Sequence, residues 1–163
     1  MTPVLLLDAL EEFVREQTKD MMLEVRVKRG TEDNKLRSPN VFRQDFPEPD
    51  DSTQKIPYIL LQILTVKDDW KPGEDPESEC KVRIVFATYS ENGEKGSIDL
   101  LNLILKIKNE LEAVGVIEGG QFVMQYTVEA FVYPDRTPPY HLGEMITTWS
   151  LPAIEREVTH TWQ

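Results

Sequence analysis

Hydrophobic and polar positions repeat with two different periods along this chain, and the sharpest change of period falls between Cys80 and Val114. Val82, Ile84 and Phe86 alternate with Lys81, Arg83 and Val85, the pattern of a strand with one well-buried face. The segment Ser90 to Gly96 breaks that pattern with two glycines and an Asn-Gly pair, so the chain turns there. Ser97 stands as N-cap of a following helix, and Asp99 places a negative charge in its first turn, where the helix dipole favours one. Apolar residues at 100, 103, 104, 107, 111 and 114 form a stripe of helical period, and Gly115 sits where a left-handed cap ends it. Ile98, Leu101 and Leu105 make a second apolar strip beside the first, while Asn102, Lys106, Asn109 and Ala113 face away. Either the stripe is wide and lies flat on a sheet, or the second strip packs against another subunit.

The remaining elements follow in chain order. Thr2-Pro3 starts a helix whose apolar face carries Leu6, Leu7, Leu10, Phe13 and Val14 and which ends near Thr18 to Asp20. Met21, Leu23, Val25 and Val27 alternate with charges as a half-buried strand. Arg29 to Lys55 has three prolines and almost no periodicity, a long loop that Val41, Phe42 and Phe46 can pin down. Ile56 to Val66 is nearly all apolar, as expected for a central strand covered on both sides. Lys67 to Glu79 holds six acids and two lysines and is expected to form an exposed acidic hairpin arm. Trp70 on that arm either folds back on its own domain or, with Asp68 and Asp69, anchors a partner. Phe122 to Tyr133 and Leu142 to Leu151 alternate as two further strands, joined by a proline-rich turn at 134–139.

This order predicts an α+β fold: a mostly antiparallel sheet of about five strands, with two helices packed on one face. The long loop 29–55 and the hairpin arm 67–79 project from it. Residues 1–152 form a single domain, and the polar segment 153–163 is expected to be a mobile arm.

Charge and composition narrow the function. A net charge of −11 over 163 residues argues against general nucleic-acid binding, which needs a basic face. An acidic wall does suit a channel through which DNA passes without sticking. The single cysteine, Cys80, excludes an intramolecular disulfide and a cysteine-based zinc site, and it suits a reduced, intracellular thiol. No stretch reaches the length of a membrane-spanning helix, and the apolar run at Val4 to Leu7 has no basic residues before it, unlike a signal peptide. The chain is expected to stay in a cytoplasm-like compartment until it joins something.

Little points to chemistry. His141 and His160 fall in a turn and a tail, with no metal-ligand or general-base spacing to a second group. The acids Asp45, Glu48, Asp50 and Asp51 lack EF-hand spacing and are separated by prolines. There is no phosphate-binding glycine loop and no nucleophile elbow. The expectation is a protein that is not an enzyme, with no cofactor and no metal.

Three segments carry a resemblance: PYILLQIL at 57–64, VRIVFATYSENGEKGSIDLLNLILKIKNEL at 82–111, and FVYPDRTPPYHLGEMITTWSLPAIERE at 131–157. In order and spacing they resemble the tail terminator (tail completion) family of bacteriophages and phage-tail-like bacteriocins of Gram-positive bacteria, over roughly the C-terminal two-thirds. The resemblance implies a small α+β subunit of a hexameric ring on the head-proximal end of the tail tube. Such a ring stops tube polymerisation and joins the neck. The implied partners are further copies of the chain, the tail tube protein, a neck or head–tail connector protein, and DNA passing through the lumen. The implied location is a virion or tail-like particle assembled in the bacterial cytoplasm. No catalytic residues carry over, and the loop 29–55 has no counterpart in the pattern. A ring subunit needs two unlike faces. Ile98, Leu101 and Leu105 can supply one; Asp68, Asp69 and Trp70 on the arm, with Phe42 and Phe46 on the loop, can contact the tube or the ring neighbour. The competing readings are a head–tail connector or neck stopper, a small cytoplasmic enzyme or ligand-binding protein, and a monomeric host-interaction protein.

Overall fold

One strand, Glu77–Tyr89, is hydrogen-bonded along both edges and holds the largest apolar surface of the sheet, and the rest of the chain is arranged around it. The computed structural model describes residues 2–26, 36–47, 55–134 and 138–153. Its elements are α1 (Pro3–Thr18), β1 (Leu23–Glu24), β2 (Leu36–Arg37), β3 (Asn40–Arg43), β4 (Tyr58–Asp69), β5 (Glu77–Tyr89), α2 (Gly93–Val114), β6 (Val116–Ile117), β7 (Phe122–Val132) and β8 (Tyr140–Leu151). Six strands form one sheet in the order β3-β4-β5-β8-β7-β6, while β1 and β2 pair separately. Every ladder is antiparallel except that of β3 with β4. The α+β class and the two helices agree with the sequence. The main sheet has six strands where about five were expected, because short β3 and β6 flank its ends.

The core lies on one face of the sheet. Ile59 and Leu61 of β4, Val82, Ile84 and Phe86 of β5, and Met145 and Trp149 of β8 meet the apolar stripes of both helices. Fully burying an aliphatic or aromatic side chain contributes about 1.5–3 kcal/mol, so Leu100, Leu103, Ile104, Ile107 and Leu111 of α2 hold that helix down strongly. Trp149 keeps its polar edge satisfied inside this core. Its Nε1 donates to Thr147 Oγ1 at 2.9 Å, and that hydroxyl donates to Val82 O at 3.0 Å.

The helix ends show where local signals were read too simply. Pro3 opens α1, but Thr2 makes no side-chain cap. The N-cap of α2 is Asn92 and not Ser97: its side chain accepts from Lys95 N at 3.1 Å, and the helix starts at Gly93. Glu94, and not Asp99, is therefore the acid of the first turn. The Asn-Gly pair expected only to turn the chain also starts the helix, because the Asn92 side-chain oxygen takes up one of the orphan N–H groups of the first turn. At the other end Gly115 adopts φ 67° and donates to Leu111 O at 2.8 Å, the left-handed cap expected there.

Other departures are tertiary. Within the expected strand 21–27, only Leu23–Glu24 is paired, with Arg37 and Leu36. The loop 29–55 contributes β2 and β3 from its described part. The apolar run of β4 is covered only in its first half: Leu60 and Leu61 are buried, but Leu64 and Val66 are exposed. His141 sits on β8 and is buried, not in a turn. His160 and the arm 153–163 beyond Ala153 lie outside the described residues. So do Glu48, Asp50 and Asp51.

His141 explains a glycine inside α2. A Cβ at Gly96 would lie 2.2 Å from His141 Nε2, whereas one at Gly93 would meet nothing within 4 Å. In an open helix Gly→Ala stabilises by about 1 kcal/mol. Here the ring is fixed between Ser90 O (3.3 Å from Nε2) and Ser97 Oγ (3.5 Å from Nδ1), so it has nowhere to move. Gly96→Ala is expected to destabilise by about 1–3 kcal/mol through overpacking, while Gly93→Ala is neutral or stabilising. Urea unfolding of the two variants checks both signs.

Candidate functional site

The apolar side chains that the fold leaves uncovered form its most distinctive surface. On α2, Ile98, Leu101 and Leu105 are 51%, 41% and 40% exposed. The helix does not lie on the sheet with a stripe wide enough to cover them, so the flat-stripe reading fails and a second apolar face remains open. Its flank is charged, with Lys106–Glu110 and Lys108–Glu112 pairs one turn apart.

The arm is a continuation of the sheet. β4 and β5 stay paired out to Asp69 and Glu77, so the two ends of the acidic segment 67–79 are ladder and residues 70–76 make the connecting turn. Ser78 Oγ donates to an Asp68 carboxylate oxygen across the strands. Asp69 and Trp70 project at its tip, and Trp70 is 58% exposed, so it does not fold back on the domain. Phe42 and Phe46 are spent differently. Their rings pack at 5.5 Å on each other and at 6.2 and 4.9 Å on Tyr58, and Lys55 Nζ lies 5.0 Å above Phe46. They pin the described part of the loop onto the start of β4, as aromatic pairs do at such distances.

Both edges of the sheet end in steps. β3 covers only Tyr58 to Leu61 of β4. Gln44 then continues that cover with its side chain: its Nε2 donates to Ile63 O at 3.2 Å, and its Oε1 accepts from Ile63 N at 3.0 Å. Past Ile63 no described residue pairs with the outer edge of β4. On the far side β6 covers only Phe122 and Val123 of β7. A bulge between Gln125 and Glu129 pushes Tyr126 outward to 78% exposure, and Phe131 and Val132 are exposed beyond it. None of these edge residues stands out in the sequence.

The face without helices is apolar at the β3 end, where Leu60, Val85 and Ala87 are buried apart from the main core, and polar toward the arm. Glu77, Glu79, Glu129 and Glu144 share it with Lys67, Lys81 and Arg83 by strand register. Arg83 pairs with Glu144 and donates to Tyr133 Oη at 2.8 Å, and that hydroxyl donates to Glu144 at 3.1 Å. The hydrogen bond from Arg83 to Glu144 raises the guanidinium pKa further, so this cation is committed to its partners.

A groove of about 860 Å³ runs between α1 and β3, lined by Val4, Leu7, Val41 and Ile63. Its charged rim is neutralised internally, because Arg15 pairs with Glu11 and Arg43 pairs with both Asp8 and Glu11. Among the described residues no set of polar groups converges on a ligand there, the sign that a binding pocket would carry. Ser97 and His141 touch, but they line neither this groove nor the smaller cavity of about 390 Å³ beside Phe13 and Val116. Burial pushes the Cys80 thiol up to about 11, which leaves it protonated and unreactive near neutrality. Among the described residues no group of three or more His, Cys, Asp or Glu converges on a metal position, and no helix is long and apolar enough to cross a membrane.

One ion pair ties the start of α2 to β1. Lys95 donates to Glu24, and this hydrogen bond holds the Glu24 carboxyl below its ordinary pKa. A depressed carboxylate stabilises the fold above the ordinary carboxylate range, and the contribution is lost as pH falls through the folded-state value. Burial pushes Asp99, one turn on, in the opposite direction, so its protonation offsets part of that loss. Lys95→Met removes the cation that favours both carboxylates, since Lys95 also acts on Asp99 against the effect of burial. It is expected to lower stability at neutral pH and to narrow the stability difference between about pH 7 and pH 3, as read by thermal unfolding across that range.

No protein-family model matches the chain, and no curated protein matches it in sequence.

Proposed function

We propose that this chain is the subunit of a homo-oligomeric ring at the head-proximal end of a phage tail or tail-like particle. The ring stops tube polymerisation there and presents the surface that joins the neck. One observation carries the reading: a small domain leaves two unlike surfaces uncovered, the apolar α2 strip and the acidic arm with its exposed Trp70. A monomer gains nothing from such surfaces. Copies that meet through two different patches close into rings when the rotation allows it. The resemblance of residues 57–64, 82–111 and 131–157 to tail terminators gives the ring its place. Further support comes from charge. The chain carries −11 overall, and the helix-free face holds more acids than cations, which suits a channel that must let DNA slide. The tube protein and the neck protein are the remaining partners on this reading, with assembly in the bacterial cytoplasm.

Deleting the gene from its parent particle is expected to give overlong tubes of variable length in electron micrographs. Tubes of normal length on tails that fail to join heads would move the protein to the neck, as a connector or stopper. Normal, joined particles would remove both structural roles. Leu101→Asp, at an exposed site, is expected to keep the melting behaviour of the native chain while abolishing functional particles. Normal assembly by that variant would remove the α2 strip from the interface.

A further inference from the structure

The two strand edges left unpaired among the described residues fit one another. We propose that the outer edge of β4 in one copy pairs antiparallel with the outer edge of β7 in the next, in the register that sets Lys67 opposite Glu129. The sheet then runs unbroken from subunit to subunit. This seam rests on the ring reading above and says how the ring closes.

Polarity comes first. Within one copy β4 and β7 run in opposite directions, since three antiparallel ladders separate them. Copies related by rotation about a common axis therefore bring β4 beside an antiparallel β7, the pairing with the better-aligned hydrogen bonds.

Three constraints then fix the register. Residues opposed across a ladder share a face, and a slip of one residue puts each side chain on the wrong one. Lys67 opposes Glu79, which places it on the helix-free face, and Glu129 opposes Ile146 on that same face. Gln44 fills the β4 edge as far as Ile63, so an incoming strand can begin only at Leu64. With Lys67 opposite Glu129, Val132 falls beside Leu64, Phe131 beside Thr65 and Ala130 beside Val66. Moving the strand two residues lower drives Phe131 against the Gln44 plug. Moving it two residues higher sets Glu129 against Asp69, a like-charge pair that destabilises a ladder. The chosen register joins opposite charges instead. It also carries the outward bulge of β7 toward the arm tip, near Trp70. Seven of the residues involved, Leu64, Val66, Lys67, Trp70, Glu129, Phe131 and Val132, are exposed in the single chain.

The stagger this produces is geometrically sound. Through Arg83 and Ile146, Glu129 is level with Gln62 of its own copy, and Lys67 lies four ladder steps above Gln62, counted from Arg83 to Glu79. Each copy thus rises about 14 Å along the strands while four strands span about 19 Å. The resulting tilt of about 35° falls at the edge of the roughly 35–45° found in closed barrels, whatever the number of copies.

Cysteine pairs test the seam in the full chain, with buried Cys80 as a silent background. Lys67→Cys combined with Glu129→Cys is expected to give a ladder of disulfide-linked oligomers under mild oxidation. Either substitution alone should give none, and an equimolar mixture of the two single variants should stop at dimers. Leu64→Cys with Val132→Cys is a second pair that guards against an unfavourable disulfide angle at the first. Absence of a ladder from both pairs overturns the seam, including in a chain that native mass spectrometry shows as rings; in that case the ring stands and the seam alone falls. Dimers from Lys67→Cys alone mean that β4 pairs with β4, which overturns it too. A ladder together with normal tube lengths in the deletion strain would leave the seam standing and overturn the tail assignment.

Discussion

The fold depends on burying the sheet mainly from one side. Val82, Ile84 and Phe86 of β5, with Met145 and Trp149 of β8, present a continuous apolar surface that α2 and α1 cover. Two consequences follow. The covered face must be packed without slack, which is why Gly96 is seated against the His141 ring and Gly143 lies against Phe131 O and Ile104. The opposite face must live with solvent, and it does so with alternating charges and an Arg83–Glu144–Tyr133 network. A sheet covered on both faces would need neither device.

The same one-sidedness leaves the edges exposed, and the chain treats them unevenly. It covers the first half of β4 with β3 and with a glutamine side chain that imitates one more strand residue. It covers the opposite end of β7 with β6. The two stretches mix apolar and charged residues, with Lys67 on one and Glu129 on the other. Charged side chains and bulges of this kind discourage indiscriminate edge pairing, while the opposite charges of Lys67 and Glu129 favour β4 meeting β7 over either edge meeting its own copy.

Charge acts at long range in this protein more than at contacts. Its ion pairs are exposed or half-exposed, and pairs of that kind contribute about 0–1 kcal/mol each. An excess of eleven negative charges keeps copies apart in dilute solution and repels polyanions. On the ring reading, the apolar seam and the α2 strip must overcome that repulsion, which makes assembly sensitive to ionic strength.

The sequence by itself determined the α+β class, α1, the stripe of α2 and its Gly115 cap, and the strands β5, β7 and β8. Each of these rests on a local rule, a period of two or 3.6 residues or a residue needing positive φ, and local rules act without knowledge of the rest of the chain. The second strip of α2 was legible as residues too, Ile98, Leu101 and Leu105, but not as an open surface. Tertiary structure decided that, because exposure depends on how far the sheet extends beneath the helix. It took His141 out of a turn and buried it against Gly96. It turned both ends of the acidic arm into ladder, since β4 and β5 gain hydrogen bonds by staying paired whatever their charge. The bare edges were invisible beforehand: a strand's sequence records which faces are apolar, but whether its N–H and C=O groups have a neighbour is settled only by the strand that lies beside it.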